Sequence, residues 1–270
     1  MIVEEATARS ILTRTGGFLY GFSHSLNPYR GCSYGNSLCG SYCYAPAVVF
    51  AKEWGGHLIA KTNAAELYRR EIERERRRGP VRIFMSSVTD PYVPQEKRLR
   101  ITRAVLEAMV DEPPSLLALQ THSPGPLRDL DLLRDLPCAV QISVETDQEA
   151  LTGFPPHAYS PQVRLDALRE IKDAGIEAVG VVAPLMPLQD PVAFAHALDR
   201  SCSRVIVDHY LIGDGSREGA RTKRRGAPAL LIENGYKRWT RLEVLEEVAE
   251  VFRSVLGPER VGVSKDGFNA

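Results

Sequence analysis

Cysteine is nearly missing from this chain: of five, three fall within residues 32–43 and only Cys138 and Cys202 lie elsewhere. That usage argues against a disulfide framework and suits a reducing compartment. An excess of either charge is missing too, since Lys plus Arg and Asp plus Glu stand at 34 each. A protein that coats nucleic acid through a global basic surface is thereby excluded, and any such contact has to be local. No apolar run approaches the roughly 20 residues that a membrane span requires. The opening Met-Ile-Val-Glu-Glu-Ala has neither the basic start nor the apolar core of a signal peptide, so a cytoplasmic protein is expected. Repeats and low-complexity tracts are absent. What remains, 270 residues of which 44% are apolar, can bury a substantial core and reads as one domain.

What is present is concentrated. The stretch Asn27-Pro28-Tyr29-Arg30-Gly31-Cys32 continues through Cys39 to Tyr42-Cys43-Tyr44-Ala45 and places three thiols within twelve residues. Three thiolates can hold three irons of a four-iron cluster and leave the fourth open to a ligand, whereas a structural metal site normally closes with four protein ligands. A zinc site completed by His24 or His57 is the competing use of the same cysteines. Positions 32, 39 and 43 would share one face of a regular helix, but at roughly 1.5 Å rise per residue the first two sulfurs would stand about 10 Å apart. The segment must curl instead. Gly31, Gly35, Asn36 and Gly40 supply the backbone freedom and exposed amides for a loop wrapped around an anionic cluster.

Beyond the cysteines, short runs rich in Val, Ile and Leu alternate with segments of helical period, the pattern of repeated βα units and a parallel sheet. Strands are predicted near Val81–Ser87, Ser115–Thr121, Ala139–Val144, Ala178–Ala183 and Arg204–Asp208, with a short one before Cys32. Helices are predicted near Thr62–Arg78, Glu96–Asp111, Leu127–Asp135, Pro161–Ala174, Pro191–Asp199 and Arg241–Leu256. That makes about six units, fewer than the eight of a closed barrel. A flavodoxin-like doubly wound sheet would give a similar alternation.

The cysteine stretch, together with Thr89-Asp90-Pro91-Tyr92, resembles the radical S-adenosylmethionine (SAM) superfamily, in particular its spore photoproduct lyase-like group, over residues 24 to about 215. One departure is plain: the family usually leaves three and then two residues between cysteines, and here six and then three intervene. The resemblance implies an α/β fold of the partial (βα)6 TIM-like barrel type with the cluster loop after the first strand. It implies a [4Fe–4S] cluster on Cys32, Cys39 and Cys43, SAM at the open iron, and an electron donor such as flavodoxin or ferredoxin. Reductive cleavage of SAM to a 5′-deoxyadenosyl radical is the activity expected. Residues 1–23 then form an amino-terminal extension, 24–211 the barrel core, and 212–270 a carboxyl-terminal cover over its open side.

Active sites of parallel barrels lie at the carboxyl ends of the strands, which gives weight to polar residues just after apolar runs. Tyr44 matches the aromatic position near the adenine of SAM, or else packs the cluster loop. Ser87, Thr89 and Asp90 follow the second strand where many family members bind the SAM amino group, and an ammonium needs acceptors of this kind; Asp90 before proline also suits an Asx turn. His122 replaces the lysine of close relatives that approaches the SAM ribose or carboxylate. Ser143 matches a SAM-contacting serine, while Glu145 has two acceptor oxygens suited to a ribose diol. Met186, after the fifth strand, takes the place of an adenine-packing residue, or fills the core.

Gln141, Ser143 and Glu145 share one strand face, the barrel interior if Ile142 and Val144 pack on helices. Cys138 and Cys202 precede their strands and belong at the bottom of the barrel. The family's hydrogen-donor cysteine has no counterpart where Ser86 and Ser87 stand, and Tyr92 and Tyr210 are radical-relay candidates by position only. Arg217, Arg221, Lys223, Arg224 and Arg225 form a local basic loop suited to phosphates, so nucleic acid is a candidate substrate. The mixed run Arg69 to Arg78 reads as an exposed helix face. The rival functions are a structural iron–sulfur or zinc protein that binds nucleic acid, and a metal-independent barrel enzyme.

Overall fold

The computed structural model describes residues 1–49 and 53–269. Eleven strands occur among them: β1 Ile2–Ala6, β2 Leu12–Arg14, β3 His24–Leu26, β4 Tyr29–Arg30, β5 His57–Lys61, β6 Arg82–Met85, β7 Leu116–Thr121, β8 Cys138–Ser143, β9 Glu177–Val182, β10 Arg204–Val207 and β11 Val261–Val263. The main sheet runs β2-β3-β6-β7-β8-β9-β10-β11. From β3 to β11 every pairing is parallel, and β2 closes one edge antiparallel to β3. No pairing joins β2 to β11 among the described residues, so the barrel is partial. A second sheet, β1-β5-β4, flanks the cysteine segment.

Alternation along the strands divides the apolar residues between two regions. Ile83, Leu117, Leu119, Val140, Ile142, Ala178, Val182, Val205 and Val207 face the helices and build the large core. Phe84, Ala118, Ala139, Val179, Val181 and Ile206 fill the barrel interior, where Phe22 and Phe268 join them. The helices start where their chemistry dictates. Asp190 accepts from the amides of Val192 and Ala193 at the head of Pro191–Ser201, with proline in the first turn. Ser160 does the same for Pro161–Asp173.

Four expectations change. The predicted Glu96–Asp111 helix is broken at Arg100, whose φ of 53° separates Glu96–Leu99 from Ile101–Asp111. Leu127–Asp135 begins as a 3₁₀ turn and yields only the short helix Leu130–Leu133. A seventh parallel strand, β11, follows the Glu243–Leu256 helix. The first 23 residues pair into both sheets, and Glu71 fixes them by accepting from the backbone of Ile11 and Leu12. Glu71 and Glu75 are therefore buried, while Glu73 and Arg77 keep the exposed pairing expected of that helix.

Candidate active site at the carboxyl end of the sheet

The cysteine segment curls as its glycines require. Gly31 turns with φ +83°, Cys32 leads into a 3₁₀ turn at Ser33–Asn36, and the extended Ser37 restarts the chain as the short helix Leu38–Tyr42. Cys39 lies in that helix and Cys43 caps it, so the two are one turn apart. The loop folds so tightly that a Cβ on Gly40 would stand 2.0 Å from the Gly35 carbonyl. Ser37 Oγ lies 3.2 Å from Cys39 Sγ. All three thiols are unpaired and line one cavity of about 510 Å³. Burial, then the neighbouring Cys39, pushes the Cys32 thiol well up. Burial likewise raises Cys39 and Cys43 to about 11. Metal loading at neutral pH must therefore displace protons from all three. His24 and His57 serve elsewhere, beside Glu75 and Glu4 at 3.4 Å and 3.3 Å.

Tyr44, Ser87, Thr89, Asp90 and His122 line the same cavity. The Tyr44 hydroxyl donates to the Ser87 carbonyl at 2.6 Å, and the Thr89 hydroxyl donates to the Gly31 carbonyl. Asp90 is buried and accepts from the amides of Tyr92 and His122, each at 2.8 Å, and from the Thr121 hydroxyl at 2.7 Å. It thus forms the Asx turn and ties the ends of β6 and β7 together. His122 Nε2 is 2.9 Å from Glu145 Oε1 and Nδ1 is 3.7 Å from Asp90. Burial opposes a charge on His122, but Cys39, Glu145 and Asp90 outweigh it and raise its pKa well above the usual imidazole value.

Ser143, Glu145 and Met186 are not among the residues lining that cavity. Ser143 lies behind Gln120, whose side-chain amide donates to its hydroxyl at 3.3 Å. Glu145 borders only a separate space of about 10 Å³, shared with Cys39 and His122: Tyr42 donates to Oε1 and Arg164 to Oε2, the latter at 2.6 Å. Burial works against its charge, yet Arg164 and His122 hold its carboxyl well below the ordinary range. That space has no room for a ribose diol, and Oε1 pairs with His122 instead. Met186 packs with Leu38, Tyr42 and Leu231 behind the cluster loop. Tyr92 is buried against Asp129, whereas Tyr210 reaches the cavity.

The basic loop divides. Arg221 lines the cavity, held by the Asp214 carbonyl at 2.9 Å, and Arg225 donates to the Gly40 carbonyl at 2.9 Å, close enough to favour a thiolate at Cys43. Arg217, Lys223 and Arg224 face solvent. Asp208, next after β10, also lines the cavity, with Phe18, Leu19, Phe84 and Phe268 as apolar wall. Sequence reasoning passed over Asp208, although it satisfies the same strand-end rule that picked out Asp90.

Comparison with known proteins settles the family, because a radical SAM superfamily model matches residues 26–200. The chain belongs to the radical SAM superfamily. Members of this superfamily are enzymes that use a [4Fe–4S] cluster and SAM. The uncharacterized protein MJ0683 of Methanocaldococcus jannaschii is 30% identical over 173 residues, 62% of each chain. The uncharacterized protein Rv2578c of Mycobacterium tuberculosis is 28% identical over 181 residues, 62% of this chain and 50% of that one. The matched part thus spans only 50–62% of the length of these curated relatives. Among solved structures, a spore photoproduct lyase variant with bound AdoMet and dinucleoside spore photoproduct superposes with a TM-score of 0.63 at 14% identity, over 97% of this chain and 81% of the other. At that identity the likeness speaks for the radical SAM fold alone. No helix among the described residues is long and apolar enough to cross a membrane.

Proposed function

We propose that this chain binds a [4Fe–4S] cluster through Cys32, Cys39 and Cys43, takes SAM into the adjoining cavity, and cleaves it reductively to act on a further substrate. The observation that carries this reading is the shared cavity: three unpaired thiols and the polar ends of β6 and β7 face one space at the carboxyl side of a parallel sheet. The donor set fits the group, since three clustered thiols leave one iron of four for another ligand. When bound, the cluster and SAM supply a 5′-deoxyadenosyl radical.

The chain's own part is binding, orientation and exclusion. Tyr44, Ser87, Thr89, Asp90 and His122 are the SAM contacts in this reading. Tyr44 and Thr89 lock the cluster loop to the segment after β6, and Glu145 with Arg164 fixes His122 from behind. The apolar wall keeps water away from reactive carbon, and Cys138 and Cys202 lie outside the cavity, so neither offers it a stray S–H. An external one-electron donor, such as flavodoxin or ferredoxin, completes the reaction. The exposed Arg217, Lys223 and Arg224 beside the cavity-lining Arg221 and Thr222 support nucleic acid as the larger substrate.

Anaerobic iron–sulfur reconstitution, then dithionite and SAM, should yield 5′-deoxyadenosine and methionine, with Cys39→Ala yielding neither. A protein that loads zinc, or a cluster that never turns SAM over, would instead mark the cysteines as structural.

A further inference from the structure

On the β10 side of the cavity stands a carboxyl group that the reading above leaves unused. Asp208 is only 3% exposed. Its Oδ1 accepts from the His209 amide at 2.8 Å; apart from the Ser264 hydroxyl no other side-chain donor among the described residues influences the carboxyl, and no Lys, Arg or His pairs with it. Oδ2 packs against the backbone of Gly213, where a Cβ would stand 1.8 Å from that oxygen, and both residues line the cavity. Ser264 Oγ, just past β11, is close enough to bias the carboxyl yet makes no hydrogen bond. His209 is no counter-ion: Nδ1 accepts from the Leu211 amide and Nε2 donates to the Trp239 carbonyl, which is the neutral ring. Asp214 adds negative charge nearby, Arg221 spends Nη1 on the Asp214 carbonyl, and Tyr44 and Tyr210 are uncharged neighbours in the cavity.

A buried carboxyl without a cation keeps its proton. Burial first, then Asp214, raises the pKa of Asp208 to about 7. Because Oδ1 takes the amide hydrogen, the proton belongs on Oδ2. We propose that Asp208 is a substrate-binding residue whose Oδ2 hydroxyl donates to a carbonyl oxygen of an uncharged substrate. Asp214 also lines this part of the cavity and repels an anionic group, and Arg221 already spends Nη1 on the Asp214 carbonyl. The apolar wall of Phe18, Leu19 and Phe268 offers a carbonyl no other donor on that side. The inference rests on the reading that this cavity is the reaction chamber.

The test is a ligand-observed NMR titration of reconstituted, unreduced protein with SAM at pH 6, using δ-valerolactam as the neutral carbonyl probe beside valerate and piperidine. Saturable lactam binding is expected, weakened about tenfold by Asp208→Ala. Asp208→Asn, which keeps an N–H donor without a charge, should hold the lactam to within about threefold of wild type. The proposal falls if wild type does not bind the lactam saturably, if Asn is as damaging as Ala, or if piperidine or valerate binds better. Melting curves of both variants establish that they fold. Dithionite-driven 5′-deoxyadenosine formation by the same samples separates the two readings: turnover without lactam binding removes only the role of Asp208.

Discussion

Asp208 gives the fold a dependence on pH. Its carboxyl holds a proton to about pH 7 in the native protein, against an ordinary value of 3.8. Between those values the folded chain binds more protons at this group than the unfolded one, so the contribution of Asp208 to stability is complete below pH 4 and declines as pH rises toward 7. At about 1.4 kcal/mol per unit, the loss is on the order of 4 kcal/mol. Asp208→Asn removes it, and the melting midpoint of that variant should gain on wild type steadily from pH 5 to pH 8; a constant gap would contradict the assignment. Asp90 and His122, which reasoning from sequence found, share one signal, a polar side chain just after an apolar strand. Asp208 carries that signal too, but it reads equally well as the last residue of its strand. Glu145 was legible as inward-facing and polar, not in its partner, because Arg164 comes from a helix 19 residues onward. A pairing of that kind has no local periodicity.

At the scale of elements the cysteine loop is the decisive piece. Its longer spacing is accommodated by a 3₁₀ turn and by the contact of Gly35 with Gly40, and the Tyr34 carbonyl in that turn accepts from Cys39 Sγ at 3.5 Å. A Cβ on Gly40 meets backbone and not a flexible side chain, so Gly40→Ala has to move the turn. Reconstituted Gly40→Ala should retain less than about half of the wild-type iron, with a melting midpoint within about 4 °C of wild type. Full iron loading would show that the turn tolerates displacement. The βα units were legible because their apolar runs are long and their helices amphipathic. The β1-β5-β4 sheet was not, since its strands are two to five residues long and pair across some thirty positions for β4 with β5 and more than fifty for β1 with β5. The break at Arg100 was equally hidden, because arginine is an ordinary helix former and nothing beside it announces a left-handed turn.

Across the whole molecule the charges cancel, yet their placement does not. Arg217, Lys223 and Arg224 are all exposed on a segment whose Asp214, Arg221 and Thr222 line the cavity. If nucleic acid is the substrate, binding of a single-stranded oligonucleotide should weaken with salt, and replacing all three with alanine should reduce the log–log slope by about 2. A slope that the replacement leaves unchanged would remove these residues from the interface. The partial barrel itself followed from the count of βα units together with the family resemblance. Its seventh strand did not, because Val261–Val263 is too short to register as an apolar run.

The two edges of the sheet are joined by side chains. Phe18 meets Phe268 at 5.5 Å between ring centroids, and Asn269 bonds to the Gly21 amide and the Phe18 carbonyl at 2.6 Å and 2.7 Å. Phe18 and Phe268 also line the cavity. Among the described residues the sheet is thus a ring closed by a side-chain clasp, and the clasp is part of the chamber wall. Everywhere else in the ring, widening the chamber means tearing strand from strand; at this seam it means parting side-chain contacts, the Phe18–Phe268 pair, the Asn269 bonds and the approach of Asp266 and Lys265 to Tyr20, with the ladder left whole.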